Sequence, residues 1–281
     1  MEFDGFAGGT VVRPFHRTGR ADLRGHDRTG LEMTPAIEIK NLSFSYPDGK
    51  EALRGITLAI GEGECVGLVG PNGSGKSTLL LHLNGLLPEI FPATPGVIIF
   101  GRPVNSQTAA AVRRDVGLLF QDPDDQLFCP TVYEDVAFGP QQFGLSDAQL
   151  REAVMKGLNA ASLAGYEHRS PHHLSSGEKR RVCLAGVLAC EPRVLALDEP
   201  TSNLDPRGKR ALIQTLKGIP ATKVIATHDL EMVVELCTRT ILLDQGVVIA
   251  DGDTHTLLGD EKLMLAHGLE KPHILRHLHP H

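Results

Sequence analysis

A glycine-rich loop stands between a short apolar run and a helical pattern. It consists of Gly70, Pro71, Asn72, Gly73, Ser74, Gly75, Lys76, Ser77 and Thr78. Its glycines let the backbone curl so that successive N–H groups point inward at phosphate oxygens, and the following helix adds the positive end of its dipole. Lys76 is predicted to contact the β- and γ-phosphates, and the Ser77 hydroxyl to ligate Mg²⁺. The loop therefore predicts a nucleoside-triphosphate site, which many classes of protein share.

Two adjacent acids, Asp198 and Glu199, end the apolar run 194–197. An acid at the end of a buried parallel strand lies near the phosphate loop. Asp198 is the expected partner of Mg²⁺, through water, and Glu199 the general base that orients the water attacking the γ-phosphate. A pair that only caps a helix or faces solvent would be the better interpretation if the phosphate loop were missing.

The segment 174–178, Leu-Ser-Ser-Gly-Glu, precedes another helical pattern. Ser175 can cap that helix, and the backbone N–H groups near Gly177 can face an anion. Here the chain resembles the ATP-binding cassette family, which carries Leu-Ser-Gly-Gly-Gln before a helix. The resemblance implies that Ser175 and Gly177 contact ATP bound to a second copy of the domain, so that two chains close around two nucleotides.

This signature departs from the family pattern at two positions. Ser176 replaces the first glycine, and Glu178 replaces the glutamine. A serine remains small, whereas a carboxylate aimed at the γ-phosphate would repel it. Glu178 is therefore expected to point outward and pair with a neighbouring cation.

Further residues match the family in order between residue 36 and about residue 260. The resemblance implies that Tyr46 stacks on adenine, that Gln121 touches Mg²⁺ and water, and that His228 contacts the γ-phosphate. The loop 202–205 would run along the dimer interface. Each residue alone has an ordinary alternative, such as a turn aromatic or a satisfied strand-end histidine. The implied catalytic residues are Glu199, His228, Lys76 and Gln121, and the implied Mg²⁺ ligands are Ser77, Gln121 and Asp198.

Short apolar runs alternate with helical patterns along the chain. Strands are predicted at residues 37–46, 53–60, 64–69, 116–120, 194–197, 224–227 and 240–243. Such alternation favours a mostly parallel α/β sheet. The resemblance implies a phosphate-loop α/β core with an antiparallel β subdomain and a helical signature lobe at about 122–189.

The predicted organisation has three parts. Residues 1–34 contain five arginines without helical or strand periodicity, which indicates a disordered extension or a translation start at Met33. Residues 35–260 are expected to form the cassette domain. Residues 261–281 are expected to be a polar tail, whose irregular histidines favour a solvated segment over a metal site. These histidines are His267, His273, His277, His279 and His281.

The composition argues against several classes of protein. A net charge of −6 with 22% charged residues does not suggest a nucleic-acid binder. The five cysteines form no C-x-x-C pair, which favours inert reduced thiols over a zinc or redox site. No apolar stretch approaches the roughly 18–20 residues of a membrane-spanning helix, so other chains would supply any path through a membrane.

A second resemblance narrows the family. Residues 120–128 and 131–140 look like the ATPases of energy-coupling-factor importers, as does Lys179-Arg180-Arg181. That group includes the ATPases for cobalt and nickel uptake, the leading interpretation here, and those for vitamins. A soluble cassette that remodels nucleic acid or ribosomes is the alternative from another class, and a metal-storage module built on the histidines is a further one.

The second resemblance also implies partners. They are another ATPase chain, most simply an identical one, a transmembrane coupling protein and a substrate-binding membrane protein. The ATPase would then lie on the cytoplasmic face of the plasma membrane. Arginine-bearing helices of the coupling protein are expected to meet four acids, unless these only form a solvated loop: Asp124, Asp125, Glu134 and Asp135.

Overall fold

Two sheets and a set of helices make up residues 35–276, the part of the chain that the computed structural model describes. The prediction made for residues 1–34 lies outside this range, as do His277, His279 and His281. The strands are β1 (Ile37–Ser45), β2 (Glu51–Ile60), β3 (Cys65–Val69), β4 (Val97–Ile99), β5 (Arg102–Pro103), β6 (Val116–Leu119), β7 (Val194–Asp198), β8 (Thr222–Ala226), β9 (Arg239–Asp244) and β10 (Val247–Asp253). The helices are α1 (Lys76–Asn84), α2 (Ala109–Asp115), α3 (Val132–Gln141), α4 (Asp147–Ala160), α5 (Ser176–Ala189), α6 (Pro206–Lys217), α7 (Leu230–Leu236), α8 (Thr254–Gly259) and α9 (Glu261–Ala266). Short 3₁₀ helices occur at Pro123–Asp125, Pro171–His173 and His273–Leu275.

The larger sheet has the strand order β10-β9-β3-β8-β7-β6. All neighbours in it are parallel except β10, which pairs antiparallel with β9 at one edge. Its inner strands are nearly continuous apolar runs, as expected where helices cover both faces of a sheet. Because β3, β8 and β7 are adjacent and parallel, the residues that follow Val69, Ala226 and Asp198 meet at one edge.

The smaller sheet is antiparallel, in the order β2-β1-β4-β5. Alternate residues of β1 and β2 face a core that this sheet shares with α1, and Ile37, Leu53 and Ile56 are buried there. The fold class is confirmed: an α/β core carries an antiparallel β subdomain and a set of helices between β6 and β7.

The helices α3, α4 and α5 pack together around a core of their own. Val136, Leu158 and Ala185 are fully buried at its centre, one from each helix. This helical lobe carries the signature segment at the start of α5.

Residues 261–276 do not form the solvated polar tail that was predicted from residue 261 onward. Helix α9 buries Met264 completely, and Leu275 is only 6% exposed in the same core cluster. His267 donates or accepts a hydrogen bond of 2.8 Å with Asp244. The prediction failed because a helix of six residues gives little periodicity, so its one buried side chain is not visible in the sequence.

None of the helices within residues 35–276 combines the length and the apolar character needed to cross a membrane.

Candidate functional site

The phosphate loop connects β3 to α1 and lies at the carboxyl edge of the larger sheet. Gly70 and Gly75 both have positive φ, and a Cβ at Gly70 would lie 1.9 Å from the Leu243 carbonyl oxygen. A Cβ at Gly75 would lie 2.5 Å from the Ala52 carbonyl oxygen. Neither position can hold a side chain, so the curled loop requires glycine at both. Between them, Asn72 and Gly73 form the exposed tip and Ser74 is buried.

Lys76 is folded back onto its own loop. Its Nζ donates hydrogen bonds to the carbonyl oxygens of Gly70 (2.9 Å) and Pro71 (3.0 Å). Burial lowers the pKa of the Lys76 ammonium, while the nearby carboxylates of Glu199 and Asp198 act in the opposite direction. The cation predicted to bind phosphate is therefore close to both predicted acids.

The three predicted magnesium ligands line one cavity. Ser77 from α1, Gln121 after β6 and Asp198 at the end of β7 border a space of about 600 Å³, together with Ser202 and Asn203. Burial raises the pKa of the Asp198 carboxyl, and a hydrogen bond from the Ser77 hydroxyl opposes that rise. Carboxylate, hydroxyl and amide oxygens are the hard donors that Mg²⁺ prefers, so the residues present fit that ion.

Both oxygens of the Glu199 carboxylate accept a hydrogen bond. The Thr227 hydroxyl donates to Oε2 (2.9 Å), and the backbone N–H of His228 donates to Oε1 (3.0 Å). The His228 ring Nδ1 is also 2.9 Å from Oε1, although this imidazole is 69% exposed. Glu199 itself has φ +46°, an uncommon backbone conformation for a non-glycine residue. The adjacent strands β7 and β8 thus bring the predicted base and the predicted switch histidine into contact.

Tyr46 follows β1 and lies beside the helix that carries the phosphate loop. Its hydroxyl is 3.0 Å from the Thr78 hydroxyl, and its ring contacts Phe44 edge-on with centroids 5.0 Å apart. An aromatic ring is therefore fixed next to the loop, and its stacking on adenine stays a prediction.

The signature segment forms the N-terminal cap of α5. Ser175 is the N-cap, and Glu178 Oε2 accepts hydrogen bonds from its N–H (2.8 Å) and its hydroxyl (2.9 Å). The Tyr166 hydroxyl donates to Glu178 Oε1 (2.8 Å). These bonds, led by that from the Ser175 N–H, lower the pKa of Glu178. The hydrogen-bond partners of Glu178 are thus the cap and a tyrosine, and the charge of the nearby Arg181 makes a smaller contribution that also lowers the pKa of Glu178.

Two predicted ATP contacts lie apart from the others. Ser175 and Gly177 do not line the cavity that holds Ser77, Gln121 and Asp198. A Cβ at Gly177 would instead lie 3.3 Å from Leu204 Cδ2, so the signature packs against the loop 202–205 of its own chain.

Arg180 is a residue whose position the sequence analysis did not foresee. Its side chain is only 2% exposed, and its guanidinium donates to the carbonyl oxygens of Phe120 and Gln121. Lys179 adds an ion pair with Asp124 at 2.6 Å. The start of α5 therefore holds the segment that carries Gln121. A signal was present, because Arg180 lies three, four and seven residues before Cys183, Leu184 and Val187 on an apolar helix face.

Arg180→Met is expected to lower the free energy of unfolding by about 1–3 kcal/mol, because two carbonyl oxygens lose their donor. Urea unfolding would measure this change, with the exposed arginine of α4 replaced in the same way, Arg151→Met, as the matched control. Equal midpoints for the two variants would contradict the role given to Arg180.

Known proteins resemble this chain over most of its length. Residues 53–202 match the family described as "ABC transporter". The energy-coupling factor transporter ATP-binding protein EcfA of Methanothermobacter thermautotrophicus is 46% identical over 243 residues, which cover 84% of this chain and 76% of that protein.

Two solved structures share the fold. One is cbiO1 of Clostridium perfringens, described as part of the ABC transporter complex cbiONQ, with 34% identity and a TM-score of 0.71 over 86% of this chain and 98% of that one. The other is the ATP-binding cassette MJ0796, a dimer in a post-hydrolysis state with ADP and Pi. It is 30% identical with a TM-score of 0.70, over 78% of this chain and 98% of that one. Together with the geometry at the sheet edge, these similarities show that the chain belongs to the ATP-binding cassette (ABC) transporter family, as an ATP-binding and ATP-hydrolysing subunit of the energy-coupling-factor type.

Proposed function

We propose that this ATPase works as one of two chains that bind MgATP between them and drive an importer of cobalt or nickel ions. The observation that carries the ATP chemistry is the meeting of Lys76, Asp198, Glu199 and His228 at one edge of the parallel sheet.

Two side chains of this chain are proposed to act directly in the reaction. When ATP binds, the Lys76 ammonium replaces its hydrogen bonds to the carbonyl oxygens of Gly70 and Pro71 with hydrogen bonds to phosphate oxygens. The carboxylate of Glu199 orients the attacking water and accepts its proton, while Thr227 and the His228 N–H keep that carboxylate in place.

A magnesium ion would be held by Ser77, Asp198 and Gln121. Bound there, it would neutralise charge on the β- and γ-phosphates. Two observations support this assignment. The three side chains line one cavity, and the Ser77 hydroxyl is hydrogen-bonded to the Asp198 carboxylate.

A second chain would complete the nucleotide site. Ser175 and Gly177 lie outside the cavity of the predicted magnesium ligands, at the N-terminus of α5, where backbone N–H groups and the helix dipole favour an anion. The dimeric state of MJ0796 supports the same arrangement here. An identical chain is the simplest partner, and a similar ATPase is the alternative.

The coupling protein is proposed to dock on the segment 122–138 of the helical lobe. Glu134 and Asp135, two of the four acids predicted for this contact, are engaged locally: Glu134 closes the cap of α3, and Asp135 accepts two backbone N–H bonds. Asp124 and Asp125 are exposed, and Asp124 also pairs with Lys179. Beside them Phe128 and Phe138 are 62% and 46% exposed and contact each other edge-on at 4.9 Å. An exposed aromatic pair flanked by acids suits an apolar helix that carries arginines.

Charge reversal at Asp124→Lys/Asp125→Lys is expected to weaken assembly with the membrane subunits about tenfold or more, because arginines would then meet like charge. ATP binding should be unchanged. Co-purification from detergent-solubilised membranes measures the first quantity and nucleotide titration the second. Asp147→Lys/Glu152→Lys on α4 makes the same change of net charge on exposed residues elsewhere in the lobe. An unchanged yield of complex would contradict docking at this segment.

The cargo would be chosen by membrane subunits, and the ATPase would lie on the cytoplasmic face of the plasma membrane. A metal-storage role finds no support among residues 35–276, where no group of three or more His, Cys, Asp or Glu could hold an ion. Identification of the hydrophobic subunits captured with the chain, followed by cobalt, nickel and vitamin uptake by vesicles that contain them, tests the proposal. Capture with ribosomes or nucleic acid would instead favour the soluble remodelling ATPase.

A further inference from the structure

Two thiols lie side by side at the end of the larger sheet remote from the phosphate loop. Cys65 is the first residue of β3, Cys237 directly follows α7, and their Sγ atoms are 3.5 Å apart. The chain has five cysteines, and the structure describes all of them as free thiols. The contact revises the expectation that each thiol is an isolated, inert core residue.

The two thiols differ in access and in acidity. Cys65 is half-buried, whereas Cys237 is 4% exposed. The hydrogen bond with Cys237 lowers the pKa of the Cys65 thiol, and the ammonium of Lys223, its partner in the pairing of β3 with β8, acts in the same direction against burial. The same hydrogen bond, followed by burial, raises the pKa of Cys237. Cys65 is thus the accessible nucleophile and Cys237 lies behind it.

The other three cysteines lie outside this pair, and none of their thiols has a lowered pKa. Burial raises the pKa of Cys129 and Cys190 to about 11 each, and that of Cys183 to about 12. A thiol with a raised pKa carries little thiolate at neutral pH, and the thiolate is the reactive form.

We propose that Cys65 and Cys237 form a site of reversible oxidation that closes into a disulfide by exchange with a low-molecular-weight disulfide. The Cys65 thiolate attacks one sulfur of the small disulfide, whose S–S bond breaks and releases one small thiolate. That thiolate takes the proton of Cys237, whose sulfur then attacks Cys65 Sγ and expels the second small thiolate. Two cysteine thiols are oxidised and one small disulfide is reduced to two thiols.

The new bond joins elements that already touch. A Cβ at Gly67 of β3 would lie 2.5 Å from Val233 Cγ1 of α7, so the strand and the helix are in close contact near the thiols. The sulfurs must approach from 3.5 Å to the roughly 2.05 Å of a disulfide. The bond closes a loop across 172 residues. Constraint of so long a loop in the unfolded chain is expected to raise Tm by about 5–10 °C.

Incubation of the full chain with glutathione disulfide tests the site. We expect the intact mass to fall by two hydrogen atoms, a cross-linked Cys65–Cys237 peptide to appear, and dithiothreitol to reverse both changes together with the gain in Tm. A folded protein that keeps all its thiols, or that accumulates a lasting glutathione adduct on Cys65, would overturn the proposal.

Two variants test the order of attack. Cys237→Ala should hold one stable glutathione adduct at Cys65, because no second thiol can displace it. Cys65→Ala should acquire no adduct at Cys237, since the remaining thiol of the pair is buried. Cys190→Ala is the matched control and should still cross-link. An adduct on Cys237 in folded Cys65→Ala, or failure of the control to cross-link, would contradict the assignment.

Discussion

Glu199→Gln is expected to reduce ATP turnover by about 10²–10⁴-fold while MgATP still binds, which is the usual contribution of a general base. The amide has nearly the same shape as the carboxylate and can still accept the His228 N–H bond, but it cannot take a proton from water. Single-turnover hydrolysis measures the loss, and titration with a fluorescent ATP analogue measures binding.

The control for this variant is Glu235→Gln, which makes the same chemical change in an exposed ion pair with Lys217. Turnover of the control should stay within about twofold of the parent, since such surface pairs contribute little. If Glu199→Gln retained full turnover, Glu199 would not be the base, and the hydrogen bonds from Thr227 and His228 would have only a structural role.

Lys76→Met and Gly177→Asp are each expected to lower turnover by about 10²–10³-fold, because each disturbs the stabilisation of charge on the γ-phosphate. Gly177 is the second residue of α5, where the helix dipole stabilises an aspartate. The variant is therefore expected to fold. Its carboxylate would nevertheless face an anion that is bound to the other chain.

A mixture of these two variants tests whether the nucleotide site is shared between chains. In a mixed dimer, one site combines an intact phosphate loop with an intact signature, and the other site combines both defects. Turnover should therefore rise when the variants are mixed, in proportion to the mixed dimers formed. A mixture as inactive as its components would contradict a shared site, provided that mass spectrometry shows mixed dimers, and Lys76→Met mixed with itself sets the baseline.

The sequence predicted the strands that are buried apolar runs, because such strands leave a local pattern. It missed β4 and β5, which are three and two residues long and exist through pairing with β1 and with each other. It also missed β10, an edge strand in which half-exposed residues alternate with exposed ones. Strands β4 and β5 are defined by their pairing, and β10 lies at a solvent-exposed edge. None of the three therefore appears in the sequence as an apolar run.

The motif residues that meet at the sheet edge could be named from the sequence, because phosphate and metal chemistry restrict their types and spacing. Their contacts with ATP and Mg²⁺ stay predictions. The residues that hold the motif residues in place were not identified from the sequence. Thr227 fixes Glu199, and Arg180 fixes the carbonyl oxygen of Gln121. A side chain that contacts an atom distant along the chain has no characteristic spacing to that partner. The apolar face of α5 marks Arg180 as buried, but the structure is needed to show what it binds.

The strand order also determines when the parts of the molecule can form during synthesis. Strand β3 ends at residue 69, whereas its neighbours β8 and β9 begin at residues 222 and 239 and are therefore made much later. The core of the helical lobe contains only residues between 127 and 189, so the lobe can fold before β8 and β9 are made. Local contacts form faster than distant ones, and domains fold as units during translation. The phosphate loop is thus made before the helical lobe and is expected to reach its final structure after it.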